Sequence, residues 1–399
     1  MKKVLIISQA MEIGGAERAL LGLLDSFDYS HYSVDLFLCR HEGELMKDIP
    51  INVNVLPTNQ AKFLAVPMIK LIEKCQWKIL YGRLKAKILA KIKINKCGLK
   101  SENQVELLYS HKYTYKYFDD INPHMKYDLA ISFLTPHYIC IHKCNAERKI
   151  AWIHTDYSMM DIDEAAEFEM WNSFNNIVSI SDQCTVSFLS KFPALDNKII
   201  RIDNIITKKM IIDQANLFVP SEMKRNKNEL IFCSIGRFCY AKNFDNIPAI
   251  CKKLIKFGLN TKWYIIGYGG DENLIRNKIK EEEMESHVIM LGKKTNPYPY
   301  IKACDFYIQP SRYEGKAVTV REAQILCKLV IITDFSTSKS QLDDKIDGVI
   351  VPMENNKCAK AIVDFIKNKS MQEQIIKNLK NHNYSNSYEI KKIYELMGD

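Results

Sequence analysis

Short apolar runs alternate with amphipathic stretches along almost the whole chain. In the first half, strand-like runs stand at Val4–Ser8, Ser33–Cys39, Tyr127–Phe133, Lys149–His154, Ile177–Ser181 and Lys198–Ile202. Several are nearly continuous apolar, the pattern of strands covered on both faces. Helical patterns lie between many of them, as at Ala16–Phe27 and Asp182–Phe192. The alternation pauses over 204–228, which is polar and irregular and reads as a connector. It then resumes with strands expected at Leu230–Ile235, Trp263–Ile266, Val288–Leu291, Phe306–Gln309, Leu329–Thr333 and Val349–Val351. Helices fit Asn243–Phe257, Glu272–Glu283, Pro299–Ala303, Thr319–Cys327 and Asn355–Ile366. Such alternation predicts parallel sheets with helices on both faces. The expectation is an α/β chain of two doubly wound, Rossmann-like domains, 1–204 and 205–399, with ligands beyond the carboxyl ends of the strands.

Length agrees with this division, since 399 residues suit two or three domains of about 150 residues. With 47% hydrophobic and 26% charged residues the composition is globular. No apolar run approaches the roughly 18 residues of a membrane span. The apolar run after Met1-Lys2-Lys3 ends at Ile7, too short for a signal peptide, so a buried strand and a cytoplasmic location are expected. In a reducing compartment the twelve cysteines are no argument for disulfides. Cys140, His142 and Cys144, with His137, match no standard zinc spacing and read as part of a helix with buried thiols.

Charge is concentrated in one place. Residues 62–100 hold eleven Lys/Arg and one acid, Glu73, so this segment carries +10 while the whole chain carries +9. On a helical wheel Trp77, Leu80, Tyr81, Leu84, Ile88 and Ile92 share a face, with Lys78, Arg83, Lys85, Lys87 and Lys93 on the flanks and back. An apolar stripe ringed by lysine fits an interfacial helix on an anionic membrane. A helix packed on the first domain with solvated lysines is the alternative. No nucleic-acid motif accompanies the charge.

Candidate chemistry gathers where the later strands hand over to helices. Gly236-Arg237-Phe238-Cys239-Tyr240-Ala241-Lys242-Asn243 puts two cations suited to phosphate oxygens on one strand-to-helix loop. Gly267-Tyr268-Gly269-Gly270-Asp271 has half of a dinucleotide fingerprint and reads as a tight turn. In Pro310–Ala323, seven residues separate Glu314 from Glu322. With a helix starting near Val318, the Gly315–Val318 amides would face an anion, and both carboxylates could accept from sugar or ribose hydroxyls.

Together these residues resemble the donor-binding domain of glycosyltransferase family 4, retaining enzymes of the GT-B fold. The resemblance runs through Gly236-Arg237, Lys242-Asn243, Gly267-x-Gly269, Leu291-Gly292, Asn296–Ile301, Asp305 and Pro310–Gly315 with Glu322-Ala323, about 130 residues. The Asn296–Ile301 and Gly315–Thr319 stretches are most similar to enzymes that build bacterial capsule, lipopolysaccharide or exopolysaccharide. In the first domain, Ile13–Arg18 resembles the family's glycine loop, and Ala151–Asp156 its strand ending in a cleft-facing His or Asp.

The resemblance implies a nucleotide-sugar, UDP-linked by expectation, bound mainly by the second domain. Arg237 and Lys242 would stabilise the diphosphate as charge develops on it. Glu322 would hold ribose hydroxyls, Glu314 sugar hydroxyls, Gly292 and Lys293 the base. His154 would contact the donor sugar. Gly14, Gly15, Gly236, Gly267, Gly315, Ala317 and Val318 would border the donor, and Lys316 is either a third phosphate cation or an acceptor contact. No cofactor or metal is expected. Asp161-Ile162-Asp163 reads as a helix cap rather than a metal motif. The acceptor would be a glycan or lipid-linked oligosaccharide reached from the first domain at the inner face of the membrane, with front-side displacement and retention. As in relatives, the last helices (372–398) would cross back to the first domain. A GT-B nucleotide-sugar epimerase and a catalytically silent partner subunit are the alternatives.

Overall fold

The computed structural model describes residues 1–12, 14–99, 104–155, 157, 160–314 and 317–398. The chain divides into two compact units, Met1–Ile205 with Asn386–Asp399, and Ile206–Ser385.

The first unit holds a seven-stranded parallel sheet among the described residues, in the order β3-β2-β1-β4-β5-β6-β7. Its strands are β1 Lys2–Ser8, β2 Tyr32–Leu38, β3 Asn54–Val55, β4 Tyr127–Ser132, β5 Ala146–Ile153, β6 Asn176–Ser179 and β7 Ile199–Arg201. Val4, Leu5, Ile6 and Ile7 are all buried, because helices cover both faces of a parallel sheet. The helices are α1 Gly15–Ser26, α2 Met68–Glu73, α3 Trp77–Cys97, α4 Val105–Thr114, α5 Tyr138–Lys143, α6 Glu164–Asn172 and α7 Asp182–Lys191. Asp163 caps α6 by accepting from the Ala166 amide, and Ser181 caps α7 through Cys184. Residues 54–55 form a strand that no apolar run announces.

The second unit holds a six-stranded parallel sheet among the described residues, in the order β10-β9-β8-β11-β12-β13. These strands are β8 Leu230–Ile235, β9 Thr261–Ile266, β10 Val288–Gly292, β11 Phe306–Gln309, β12 Leu329–Thr333 and β13 Val349–Val351. Its helices are α8 Lys208–Ala215, α9 Ile247–Lys256, α10 Glu272–Glu281, α11 Tyr298–Ala303, α12 Val318–Ile325, α13 Ser338–Gln341, α14 Asn355–Lys367 and α15 Lys369–Asn381.

Two features differ from the sequence reading. Residues 204–228 are not all connector: α8 forms there, because Thr207 caps it through Met210 and Ile211 and Ala215, four apart, enter the second core. The return of the chain is also shorter than 372–398. Helix α15 stays in the second unit, with Ile375 and Leu379 in its core, and residues 386–399 join the first. There α16, Ile390–Glu395, stacks Tyr394 on Tyr32 with ring centroids 4.1 Å apart. The Tyr394 hydroxyl accepts from the Asp28 amide at 2.9 Å, and Lys392 Nζ donates to the Arg201 carbonyl at 3.0 Å.

Candidate active site

The loop after β8 is held by local side chains. Asn243 is left-handed at φ 59°, a conformation asparagine tolerates, and its Nδ2 donates to the Pro310 carbonyl at 2.8 Å. Arg312 forks onto Asp245 with bonds of 2.9 and 2.7 Å, donates to the Tyr240 carbonyl at 2.7 Å and lies 4.2 Å over the Tyr240 ring. The segments 240–245 and 310–312 are therefore locked together. Gly236 lets Lys242 cross it: a Cβ there would stand 3.2 Å from Lys242 Cδ.

Lys242 Nζ meets Glu314 Oε1 at 2.5 Å. The same oxygen accepts from Ser311 Oγ at 2.6 Å and Gln309 Nε2 at 3.2 Å. Gln309 Oε1 in turn accepts from Tyr307 at 2.7 Å and Thr319 at 3.3 Å, and Thr337 donates to the Glu314 carbonyl at 2.6 Å. Charge-assisted bonds in a mostly buried setting hold the carboxylate in one place. Arg237 is different: it is exposed and makes no hydrogen bond or ion pair among the described residues. Of the two cations, one is anchored and one is available.

Helix α12 begins at Val318, and Glu322 lies one turn inside it, buried. Its Oε1 accepts from Tyr298 Oη at 3.0 Å. Sequence reasoning assigned no role to Tyr298, Gln309 or Ser311, although a glutamine ending the apolar run of β11 was a visible signal. Gly315 and Lys316 lie outside the described residues. At Ala317 the expectation of an open amide changes, because its N–H donates to Gln341 Oε1 at 2.8 Å.

The glycines separate into two kinds. A Cβ at Gly267 would come within 1.9 Å of the Gly236 carbonyl oxygen, and one at Gly269 within 2.3 Å of that of Phe238. They permit close approach of the loop carrying Arg237, which Phe238 N to Tyr268 O at 2.8 Å fastens in place. Gly292 is left-handed at φ 68° with open space where a Cβ would be. Beside it, Lys293 Nζ stands 5.1 Å over the exposed Tyr268 ring.

In the first unit, Gly14 precedes α1 and Gly15 opens it, with nothing within 4 Å of a Cβ placed on Gly15. His154 follows β5, half-buried, its ring 4.5 Å from Phe133. Burial pushes its pKa down to about 4, so the imidazole is neutral. Its Nε2 is buried and unbonded among the described residues, as are Trp152 Nε1 and Thr135 Oγ1 nearby, which line the same small cavity. Deeper, Glu167 accepts from Trp171 Nε1 at 2.8 Å and Tyr157 Oη at 3.1 Å, and burial raises its pKa to about 6. Among the described residues no group of three or more His, Cys, Asp or Glu is placed to hold a metal, and no helix is long and apolar enough to cross a membrane.

Residues 219–382, which contain this strand-end site, match the family of glycosyl transferases group 1. The poly(ribitol-phosphate) alpha-N-acetylglucosaminyltransferase of Staphylococcus aureus is 22% identical over 199 residues, 49% of this chain and 38% of that protein. AmsD, an amylovoran biosynthesis glycosyltransferase of Erwinia amylovora, is 26% identical over 163 residues, 41% of this chain and 44% of that one. The chain thus spans less than half the length of these curated relatives. Solved structures match it throughout. Staphylococcus aureus TarM superposes with a TM-score of 0.65 at 15% identity over 100% of this chain and 99% of TarM. Anabaena HepE, solved in complex with UDP, gives 0.60 at 15% identity over 100% of both chains.

The fold is GT-B.

At such low identity the superpositions establish architecture. The roles of individual GT-B residues in this chain rest on its own site.

Proposed function

We propose that the chain is a retaining, metal-independent glycosyltransferase that moves a sugar from a nucleotide-sugar, UDP-linked, to a glycan or lipid-linked acceptor in cell-surface polysaccharide assembly. The observation that carries this reading is Arg237, exposed and without a hydrogen bond or ion pair among the described residues, on the same strand-end loop as the anchored Lys242–Glu314 pair, inside the stretch that matches the group 1 family. As the donor's glycosidic bond breaks, negative charge grows on the leaving diphosphate. Fixed cations aimed at that charge lower the barrier, usually the largest single contribution to such catalysis. Arg237 and Lys242 supply them without a divalent ion. Glu314, held by Lys242, Ser311 and Gln309, accepts from donor sugar hydroxyls. Glu322, oriented by Tyr298, accepts from the ribose, and Gly292 with Lys293 borders the base. His154, neutral, contributes a hydrogen bond to the sugar from the first unit. Front-side displacement, with the leaving phosphate accepting the acceptor's proton, then retains configuration.

The choice of UDP follows the UDP bound in HepE, and the cell-surface setting follows the names of the relatives. A lipid-linked acceptor would hold the protein at the inner face of the membrane. Incubation with a panel of radiolabelled nucleotide-sugars and a lipid-linked acceptor tests the reading. Transfer of label supports it. Interconversion of the free nucleotide-sugar would reveal an epimerase, and no turnover with retained fold a silent partner subunit.

A further inference from the structure

Helix α3 turns its small residues inward. Gly82, Ala86 and Ala90, with Ile79, are buried, and a Cβ on Gly82 would stand 2.7 Å from the Tyr113 carbonyl of α4. Its bulky residues face away: Trp77, Tyr81, Leu84, Ile88 and Ile92 are between 45% and 61% exposed. At 100° per residue this stripe is opposite the buried face. Lys78, Lys85 and Lys96 follow one margin of it, Lys87 and Lys91 the other, and all five are exposed. Leu80 departs from the expected stripe and packs partly on the core. Three cations of α3 already have partners: Lys93 Nζ binds Asp163 at 2.9 Å, Arg83 donates to the Phe63 carbonyl at 3.0 Å and to that of Val66, and Lys85 Nζ, though exposed, lies 5.1 Å over the Tyr113 ring.

We infer that this outer face of α3 docks on an anionic phospholipid surface. The stripe would sit at the level of the acyl chains while the lysines on both margins reach up to the headgroup phosphates, using the length of their stems. Charge complementarity selects this occupant. A second copy seated on the same stripe would bring two rows of lysine against each other with no acidic residue of α3 between them, since Trp77–Cys97 contains none. The inference rests on α3 and not on the chemistry proposed above, although it agrees with a lipid-linked acceptor.

Trp77 provides the readout. It is 58% exposed, whereas Trp152, Trp171 and Trp263 are buried, so a change in polarity at the bilayer registers on Trp77. The full chain is mixed with vesicles of phosphatidylcholine alone or with added phosphatidylglycerol. Binding to the anionic vesicles with a blue shift of tryptophan emission, weakened as salt rises, is expected. Replacing Lys78, Lys85, Lys87 and Lys91 by Gln should weaken binding at least about tenfold, as should Ile88→Ser with Ile92→Ser. All six positions are on the surface, and circular dichroism checks the fold. No binding, equal binding to neutral vesicles, or binding without a blue shift would overturn the inference. So would a concentration-dependent dimer that the Ile88→Ser variant abolishes, which would make the occupant a second copy. Transfer to a water-soluble acceptor, measured without vesicles, reports on the catalytic reading separately.

Discussion

Lys242 Nζ and Glu314 Oε1 stand 2.5 Å apart across seventy-two residues of chain. Both side chains are largely buried, 19% and 9% exposed, so each fixes the other where neither could be solvated cheaply. Arg237, a few residues earlier on the same loop, has no such partner among the described residues. Removing each cation should therefore have a different signature. Arg237→Ala should lower turnover at least about tenfold and leave stability within about 0.5 kcal/mol. Lys242→Ala should lower turnover similarly and also destabilise by on the order of 1–3 kcal/mol, because Glu314 loses its counter-charge. Steady-state kinetics together with urea unfolding separate the two. Normal turnover in both variants removes them from the mechanism.

Arg312 acts one step back from the chemistry. Its fork on Asp245 and its bond to the Tyr240 carbonyl fasten the loop that presents Lys242. Lysine keeps the charge but cannot reproduce the planar two-pronged contact. Arg312→Lys should reduce kcat several-fold with the chelator and pH behaviour of the parent retained. A change confined to KM would instead place Arg312 on the substrate.

The glycines should divide as their surroundings do. Gly269→Ala forces a Cβ toward the Phe238 carbonyl at 2.3 Å from a backbone at φ 155°. A loss on the order of 2–4 kcal/mol is expected. Gly292→Ala meets nothing within 4 Å and bears only the cost of its left-handed backbone, about 1 kcal/mol. Thermal melts of the two variants should rank in that order; the reverse ranking would contradict the close approach at Gly269.

If Arg237 and Lys242 neutralise the leaving diphosphate, transfer should proceed unchanged in excess chelator. Loss of transfer on chelation, restored by magnesium or manganese, would show that the cations do not suffice.

Acid should destabilise the protein. Burial pushes His111, His137 and His154 down to about 4, about 3 and about 4. The unfolded chain takes up protons near the ordinary value of 6.5, so below it the unfolded state binds more. Stability is thus full above pH 6.5 and falls as pH drops toward the folded values. Glu167 works the other way: its pKa, raised to about 6, costs stability as pH rises through that value. Three histidines outweigh one glutamate, so stability should fall by about 2–5 kcal/mol between about pH 6.5 and about pH 5. Urea midpoints that stay level across this range would count against neutral burial of the histidines.

Most of the architecture was legible in the chain itself. Strands such as Leu230–Ile235, Phe306–Gln309 and Leu329–Thr333 coincide with their apolar runs, because a strand buried on both faces must be apolar throughout. Short elements were harder. Helix α8 was hidden in a polar stretch because only two of its residues enter the core, and β3 is two residues long. In the candidate site, the order Gly236, Lys242, Glu314, Glu322 was readable as spacing. Which groups touch was not: the Lys242–Glu314 bond, the Tyr298–Glu322 bond and the capture of the Ala317 amide by Gln341 all join distant segments.

By itself, then, the sequence determined the class of structure and the supply of chemistry. Periodicity states which faces can be buried, and residue type states which atoms can donate, accept or carry charge. Only the tertiary structure decided how those capacities are spent. Both faces of α3 carry apolar side chains, yet packing on α4 requires the close approach that Gly82, Ala86 and Ala90 permit, so the small face went inward and Trp77, Tyr81 and Ile88 were left outside. Lys93 and Lys91 are alike in sequence, but Lys93 meets Asp163 and Lys91 meets solvent. Contacts between residues far apart in the chain depend on where every element settles, and no local pattern encodes that placement.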